Sequence, residues 1–365
     1  MESNDLSGIT SSGENRRYWT SSGRKQIKRL PEISDILAGN TRAGALLIRL
    51  VETGDPAGSE ILRGLYAHAG KAFIMGITGS PGAGKSTLIN GLITEFRSRG
   101  ITVGVIAVDP TSPVTRGAIL GDRIRMQRHA ADPGVFIRSM ASRGHKGGLS
   151  RATRDASIVL DAMGYEIIII ETVGAGQAEV DIAGLAHCVG VVVSPGSGDG
   201  LQAIKAGLLE IGDLFIITRG DSPAALEESG YLAAMIGSTG VLESEWTPRI
   251  ITIEAIKPGS AGKTADTFLA YRGFMAKPGM ADRKKTIMER QYLSALVTDL
   301  FLERLMAVMD SSRDFSLAVD AIIRGDTDPL SAAEILVNQI MVSGTRPAGS
   351  GQHSNSDPAG FARQI

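Results

Sequence analysis

The chain has 365 residues, 38 basic against 39 acidic side chains and a formal net charge of -1. That length suits one large α/β domain with appended helices, since single cores stop growing at about 250–300 residues, and the balanced charge leaves no long-range field to favour nucleic acid or an anionic membrane. One cysteine, Cys188, excludes an intrachain disulfide and reads as a small buried thiol inside the apolar run Cys188–Val193, which fits a reducing compartment.

Residues 1–25 are rich in Ser, Gly and charge, lack the apolar core of a signal peptide and read as a disordered N-terminus. The basic cluster Arg24–Arg29 reads as the solvated start of a helix. No stretch approaches the length of a membrane span, so the expectation is a soluble, cytoplasmic protein. Residues 26–70 form an N-terminal helical segment, with apolar residues at helical spacing over Ile33–Ile48 and Ala57–His68 and a break at Gly54-Asp55-Pro56.

From 71 to 280 apolar runs alternate with helical patterns. Phe73–Gly79, Thr102–Asp109, Gly134–Met140, Glu166–Thr172, Cys188–Pro195, Asp213–Asp221 and Arg249–Ala255 each look like a buried strand, and continuous runs of this kind suit a mostly parallel sheet covered by helices on both faces. Beyond it, Arg283–Asp310 can form one long helix and Asp314–Arg324 and Ser331–Met341 two shorter ones, a helical region over 281–343. The long helix carries Ile287, Tyr292, Leu293, Leu296, Leu300, Leu305 and Val308, and such a stripe must cover either the chain's own sheet or a second copy. Residues 344–365 are rich in Gly, Ser and Pro and read as a disordered tail.

The chemistry concentrates after the first run. Gly79-Ser80-Pro81-Gly82-Ala83-Gly84-Lys85-Ser86-Thr87 satisfies G-x-x-x-x-G-K-[ST] between a strand and an amphipathic helix, the setting in which backbone N–H groups converge on phosphates without side chains in the way. Lys85 would neutralise the β and γ phosphates and the Ser86 hydroxyl would coordinate Mg²⁺. The chain therefore reads as a P-loop nucleoside triphosphatase. Glu171 is the carboxylate at the exit of Glu166–Thr172, suited to hold Mg²⁺ or its water, and Gly174 gives the backbone freedom to meet a γ phosphate. Asp109 and Asp122 stand either near the metal or as a strand-end turn residue and a helix cap, and the residues alone leave both open. His145 has no second histidine or cysteine at ligand spacing, which argues against zinc.

Four segments carry a resemblance: Ala107-Val108-Asp109-Pro110-Thr111-Ser112-Pro113, Ile119-Leu120-Gly121-Asp122-Arg123, Arg138-Ser139-Met140-Ala141-Ser142-Arg143-Gly144-His145, and Glu171-Thr172-Val173-Gly174-Ala175-Gly176-Gln177. Together they resemble the MeaB/ArgK/MMAA GTPases, from about Ile33 to Met341. The resemblance implies a GTP- and GDP-binding, Mg²⁺-dependent GTPase that gates adenosylcobalamin loading and protects an adenosylcobalamin-dependent acyl-CoA mutase. Older labels for the family imply instead an ATP-using kinase or ATPase of amino-acid transport. It implies Lys85 and Ser86 on phosphate and metal, and Asp109, Asp122 and Glu171 around Mg²⁺ and the attacking water. Asp199, Gln202 and Lys205 would form a switch toward the mutase; read alone they are a helix N-cap and its solvated face. The C-terminal helices would form a dimerisation arm giving a closed homodimer.

Two base-side segments depart from the family. The guanine motif Asn-Lys-x-Asp appears as Thr218-Arg219-Gly220-Asp221, which keeps the aspartate that distinguishes guanine, leaves Thr218 a hydroxyl for N7 and lets Arg219 stack on the base. Downstream of Trp246-Thr247-Pro248, Thr-Ser-Ala is replaced by Ile253-Glu254-Ala255. Its backbone N–H can still serve guanine O6, although the acidic Glu254 could lower affinity. A third reading, a scaffold with weak nucleotide binding, fits poorly with intact Lys85, Ser86 and Glu171.

Overall fold

The computed structural model describes residues 30–109, 127–141, 148–172, 178–196, 207–237, 246–255, 257 and 259–343. The chain divides into two compact units, one through Leu293 and one from Ser294. The first opens with three helices, α1 (Ile33–Leu37), α2 (Thr41–Glu52) and α3 (Pro56–Leu65). The expected continuous helix over Ile33–Ile48 is therefore two. Gly39 takes a left-handed φ of 77° that ends α1, and the Asn40 side chain accepts from the Arg42 and Ala43 N–H groups at 3.0 and 3.1 Å to start α2. Asp55 caps α3 in the same way, ahead of Pro56 at its first turn.

Seven strands follow: β1 (Phe73–Thr78), β2 (Val103–Asp109), β3 (Val135–Ala141), β4 (Ile167–Thr172), β5 (Cys188–Val193), β6 (Leu214–Ile217) and β7 (Arg249–Thr252). They form one sheet in the order β3-β2-β4-β1-β5-β6-β7, parallel throughout rather than mostly so. Every residue of β1, β4, β5 and β6 is buried, which is why these runs read as continuous rather than alternating. Side chains still take alternate faces. Ile168 and Ile170 enter the core shared with α1 to α3, while Ile167 and Ile169 enter the one beneath α4 (Lys85–Ser98).

α5 (Gly148–Ala162) lies with α1 to α3; α6 (Pro223–Gly237) flanks β6 and β7; and α7 (Gly262–Met275) joins α4, with Phe268 fully buried. Close packing on the helical side depends on missing side chains: a β-carbon on Gly44 of α2 would collide with the Met163 sulfur. α8 (Met280–Ser311) is one long helix. Within the first unit it docks on its own domain, with Met288 buried and Tyr292 Oη donating to Asp155 Oδ1 at 2.6 Å, while Ile287 and Leu293 stay exposed. The stripe read from the sequence is thus not one continuous face. In the second unit, α9 (Arg313–Arg324) and α10 (Pro329–Ser343) share a small core around Ala318 and Ala332.

The approach to β1 is anchored by one carboxylate. Asp161, at the end of α5, accepts from the N–H groups of Gly70, Lys71 and Ala72, at 2.6 Å for Gly70 and 3.1 Å for Ala72. Asp161→Ala leaves three donors without this partner and should lower unfolding free energy by about 1–3 kcal/mol, seen as a reduced urea midpoint with an unchanged slope.

Candidate functional site

β1 neighbours β4 on one side and β5 on the other, so the chain reverses its direction of travel across the sheet there. Ligands of open parallel sheets bind beyond the carboxyl ends of the strands at such a point. The loop leaving β1 is built from conformations that favour glycine, with φ of 133° at Gly79, 77° at Gly82 and 96° at Gly84. A β-carbon on Gly79 would overlap the Val192 carbonyl of β5, and one on Gly84 would come within 3.3 Å of Thr218 Cγ2. Ala83 is buried, its N–H turned back to the Ser80 carbonyl at 3.2 Å. The loop delivers Lys85, Ser86 and Thr87 to the first turn of α4, where unpaired N–H groups favour an anion.

Lys85 is buried, and its Nζ donates to the Gly79 and Ser80 carbonyls at 2.5 and 3.0 Å, folding the side chain back over the loop. Ser86 Oγ donates to Glu171 Oε1 at 2.9 Å. Register explains the meeting: Glu171 lies opposite Ile77 of β1 and Ala107 of β2, at the exit of a strand between them. Thr172 Oγ1 donates to Thr78 Oγ1 at 3.1 Å and ties the two strand ends together. Asp109 closes β2, two positions past Ala107, so its backbone stands on the same edge. Asp122, Gly174, Asp199, Gln202, Lys205 and His145 lie outside the described residues.

On the base side, Thr218 is buried and its hydroxyl donates to the Ala83 carbonyl at 2.9 Å, with the Val193 carbonyl at 3.2 Å. The hydroxyl expected to face N7 here holds the base-side turn against the phosphate loop. Arg219 takes φ 51°, the only positive φ outside glycine among the described residues, and its side chain and that of Asp221 are exposed. Gly220 N–H donates to the Ile253 carbonyl at 2.9 Å, joining the two base-side segments. Glu254 pairs with Lys257 at 2.6 Å. That hydrogen bond and charge, with Asp221 nearby, raise the Lys257 ammonium pKa. The acidic residue that departs from the family therefore brings its own counter-ion. A cleft of about 540 Å³ runs between Ser86 and Thr87 on one side and Ala255 and Lys257 on the other, with Arg128 on its wall.

Two participants were not visible in the sequence. Lys257 is one, and its three-residue spacing from Glu254 was the available signal. Glu179 is the other, buried, with Oε1 lacking a hydrogen-bond partner among the described residues. Burial raises its carboxyl pKa, and the Lys85 charge partly offsets this.

The donors suit Mg²⁺ and a nucleotide. Ser86 and Glu171 offer hard oxygens 2.9 Å apart, and the glycine cradle opens onto a helix N-terminus.

Comparison with known proteins agrees with this geometry. The family described as methylmalonyl Co-A mutase-associated GTPase MeaB matches residues 45–310. A putative GTPase of Pyrococcus abyssi is 44% identical over 84% of this chain and 95% of its own. The Escherichia coli GTPase ArgK is 31% identical over 78% and 88%, and the mitochondrial methylmalonic aciduria type A homolog of Caenorhabditis briggsae is 30% identical over 73% and 69%. Among solved structures, a LAO/AO transport system kinase shares the fold, with a TM-score of 0.62 at 24% identity over 85% of this chain and 96% of that one.

A carboxyl with a raised pKa holds its proton more tightly when folded, so stability falls as pH climbs from the ordinary Glu range through the raised value. Glu179→Gln removes that penalty. The variant should show a higher urea midpoint than the parent at about pH 7.5, the gap closing toward about pH 4.

Proposed function

Because this chain belongs to the MeaB family of methylmalonyl-CoA mutase-associated GTPases, we propose that it is a Mg²⁺-dependent GTP-hydrolysing switch that gates adenosylcobalamin loading and protects an adenosylcobalamin-dependent acyl-CoA mutase. The observation that carries the reading is the Ser86–Glu171 hydrogen bond beside Lys85, which joins the phosphate loop to the carboxylate at the β4 exit. When bound, Mg²⁺ supplies charge neutralisation between the phosphates, and Ser86, Glu171, Asp109 and Asp122 are the residues that would hold it or its waters.

The chain's own groups account for the rest. Lys85 swings from the Gly79 and Ser80 carbonyls onto the β and γ phosphates, exchanging neutral acceptors for charged ones, and thereby stabilises charge that grows on the leaving phosphate. Glu171 and Gly174 orient the attacking water at the γ phosphate. Asp221 selects guanine, Arg219 stacks on the base, and the N–H of Ala255 serves O6. Asp199, Gln202 and Lys205 report nucleotide state to the mutase. A lone buried thiol, Cys188, suits work in the reducing cytoplasm. Among the described residues no helix is long and apolar enough to cross a membrane.

The second unit supports the pairing of two copies. Val297, Leu300, Phe301 and Met306 of α8 are all about half exposed, and Ile323 is 77% exposed, a patch that a closed twofold arm would cover.

Hydrolysis measured with and without a methylmalonyl-CoA mutase tests the proposal. Slow GTP turnover that the mutase accelerates is expected; turnover indifferent to the mutase, or ATP bound as well as GTP, overturns it. Lys85→Ala should reduce GTP turnover by roughly 100- to 1,000-fold with the fold retained by circular dichroism. Light scattering at micromolar protein should give twice the chain mass for the intact protein and the chain mass for a version ending before Ser294.

A further inference from the structure

A second cavity, of about 380 Å³, lies at the other end of β1, where Phe73 and Ile74 enter the sheet. Its volume falls within the range of small-molecule sites, about 300–1,000 Å³. Phe73 and Met288 give it an apolar surface, and the His187 ring stacks on Phe73 with centroids 5.9 Å apart and planes within 9°. His187 Nδ1 accepts the Ile74 N–H at 2.9 Å, so the neutral ring carries its proton on Nε2. Burial first, then the Arg154 and Lys284 charges, lower its pKa to about 4, which keeps the ring neutral and a donor at physiological pH.

The charges around the cavity are unevenly spent. Of the acidic side chains lining it, Asp161 is committed to the N–H groups of Gly70, Lys71 and Ala72, and Glu289 to Arg154 at 2.5 Å and Tyr66 Oη at 2.8 Å. Apart from Arg154, the cations are not. Lys71, Arg272 and Lys285 stand exposed at the rim and none is ion-paired among the described residues, while Arg154 keeps a buried Nε without a hydrogen-bond partner. An apolar slot with donors and uncommitted positive charge at its mouth is complementary to an amphiphilic anion.

We propose that this cavity binds a small organic anion, a flat apolar body against Phe73 and Met288 with one carboxylate or phosphate group held at the Lys71, Arg272 and Lys285 rim. The site is separate from the nucleotide cleft and does not depend on the GTPase reading. Occupancy would act at the first residues of the strand whose far end becomes the phosphate loop.

The test uses the full chain and the fluorescent anion 8-anilinonaphthalene-1-sulfonate, titrated with saturating GDP present and absent. One saturable site with the same affinity in both is expected. The double variant Arg272→Glu, Lys285→Glu should weaken it by roughly tenfold or more, and Ala276→Trp, which narrows the mouth, should remove it, each with the parent's melting temperature. Competition by phenyl phosphate or by 2-naphthoate supports the site and identifies the preferred acid group; competition by neither overturns it. Dye binding unchanged in both variants would mean that it reports exposed helical surface, and displacement by GDP would mean that it occupies the nucleotide cleft; either result sinks the proposal.

Discussion

The Val192 carbonyl of β5 fills the space where any β-carbon at position 79 would sit. That contact lets the strand exit pass against its neighbour and turn at once into the N-terminus of α4. From it follow the fold-back of Lys85, the approach of Ser86 to Glu171 and the seating of Gly84 against Thr218. A β-carbon there would push the loop off β5; the Lys85 and Ser86 contacts are set by hydrogen-bonding distances and the Gly84 contact by van der Waals packing, each with little slack.

The base-side turn and the phosphate loop consequently behave as one piece. The Thr218 hydroxyl is spent on the Ala83 carbonyl, and the Gly220 N–H on Ile253. Thr218 therefore serves position in this chain, and the exposed Asp221 side chain is left free of that framework. The Glu254–Lys257 pair makes the acidic substitution electrically quiet, although an exposed pair of this kind adds little stability.

Much of this was legible in the sequence because β1, β4, β5 and β6 are buried throughout, whereas Arg138 and Ser139 interrupt the edge strand β3 and only Ile251 of β7 is buried. The phosphate motif lies between a strand and a helix as its chemistry requires. What escaped detection depended on tertiary neighbours or on a single turn. Gly39 and Asn40 break a helix whose apolar spacing runs on undisturbed, since capping is stronger than periodicity there. Ile287 and Leu293 carry the right residue type for a docked face, yet only Met288 and Tyr292 find a surface in their own unit. Glu179 is an unremarkable acidic residue until the fold buries it near Lys85, a neighbour far away in sequence.

The strand order also bears on how the chain comes into being. β1 is made first, but both its neighbours come late: Phe73 pairs with Ile167, and Met75 with Cys188. During synthesis this strand, apolar but for Thr78, must wait, unpaired on both edges, while the intervening segments emerge, and closing such distant contacts is slow. The nucleotide cradle can assemble only after β5 has left the ribosome. Early on, α1 to α3 are the elements already available, and α2 and α3 contribute buried Leu47, Ile48 and Leu65 to the same core as Ile74. The N-terminal helices are thus well timed to shelter the strand until its partners arrive.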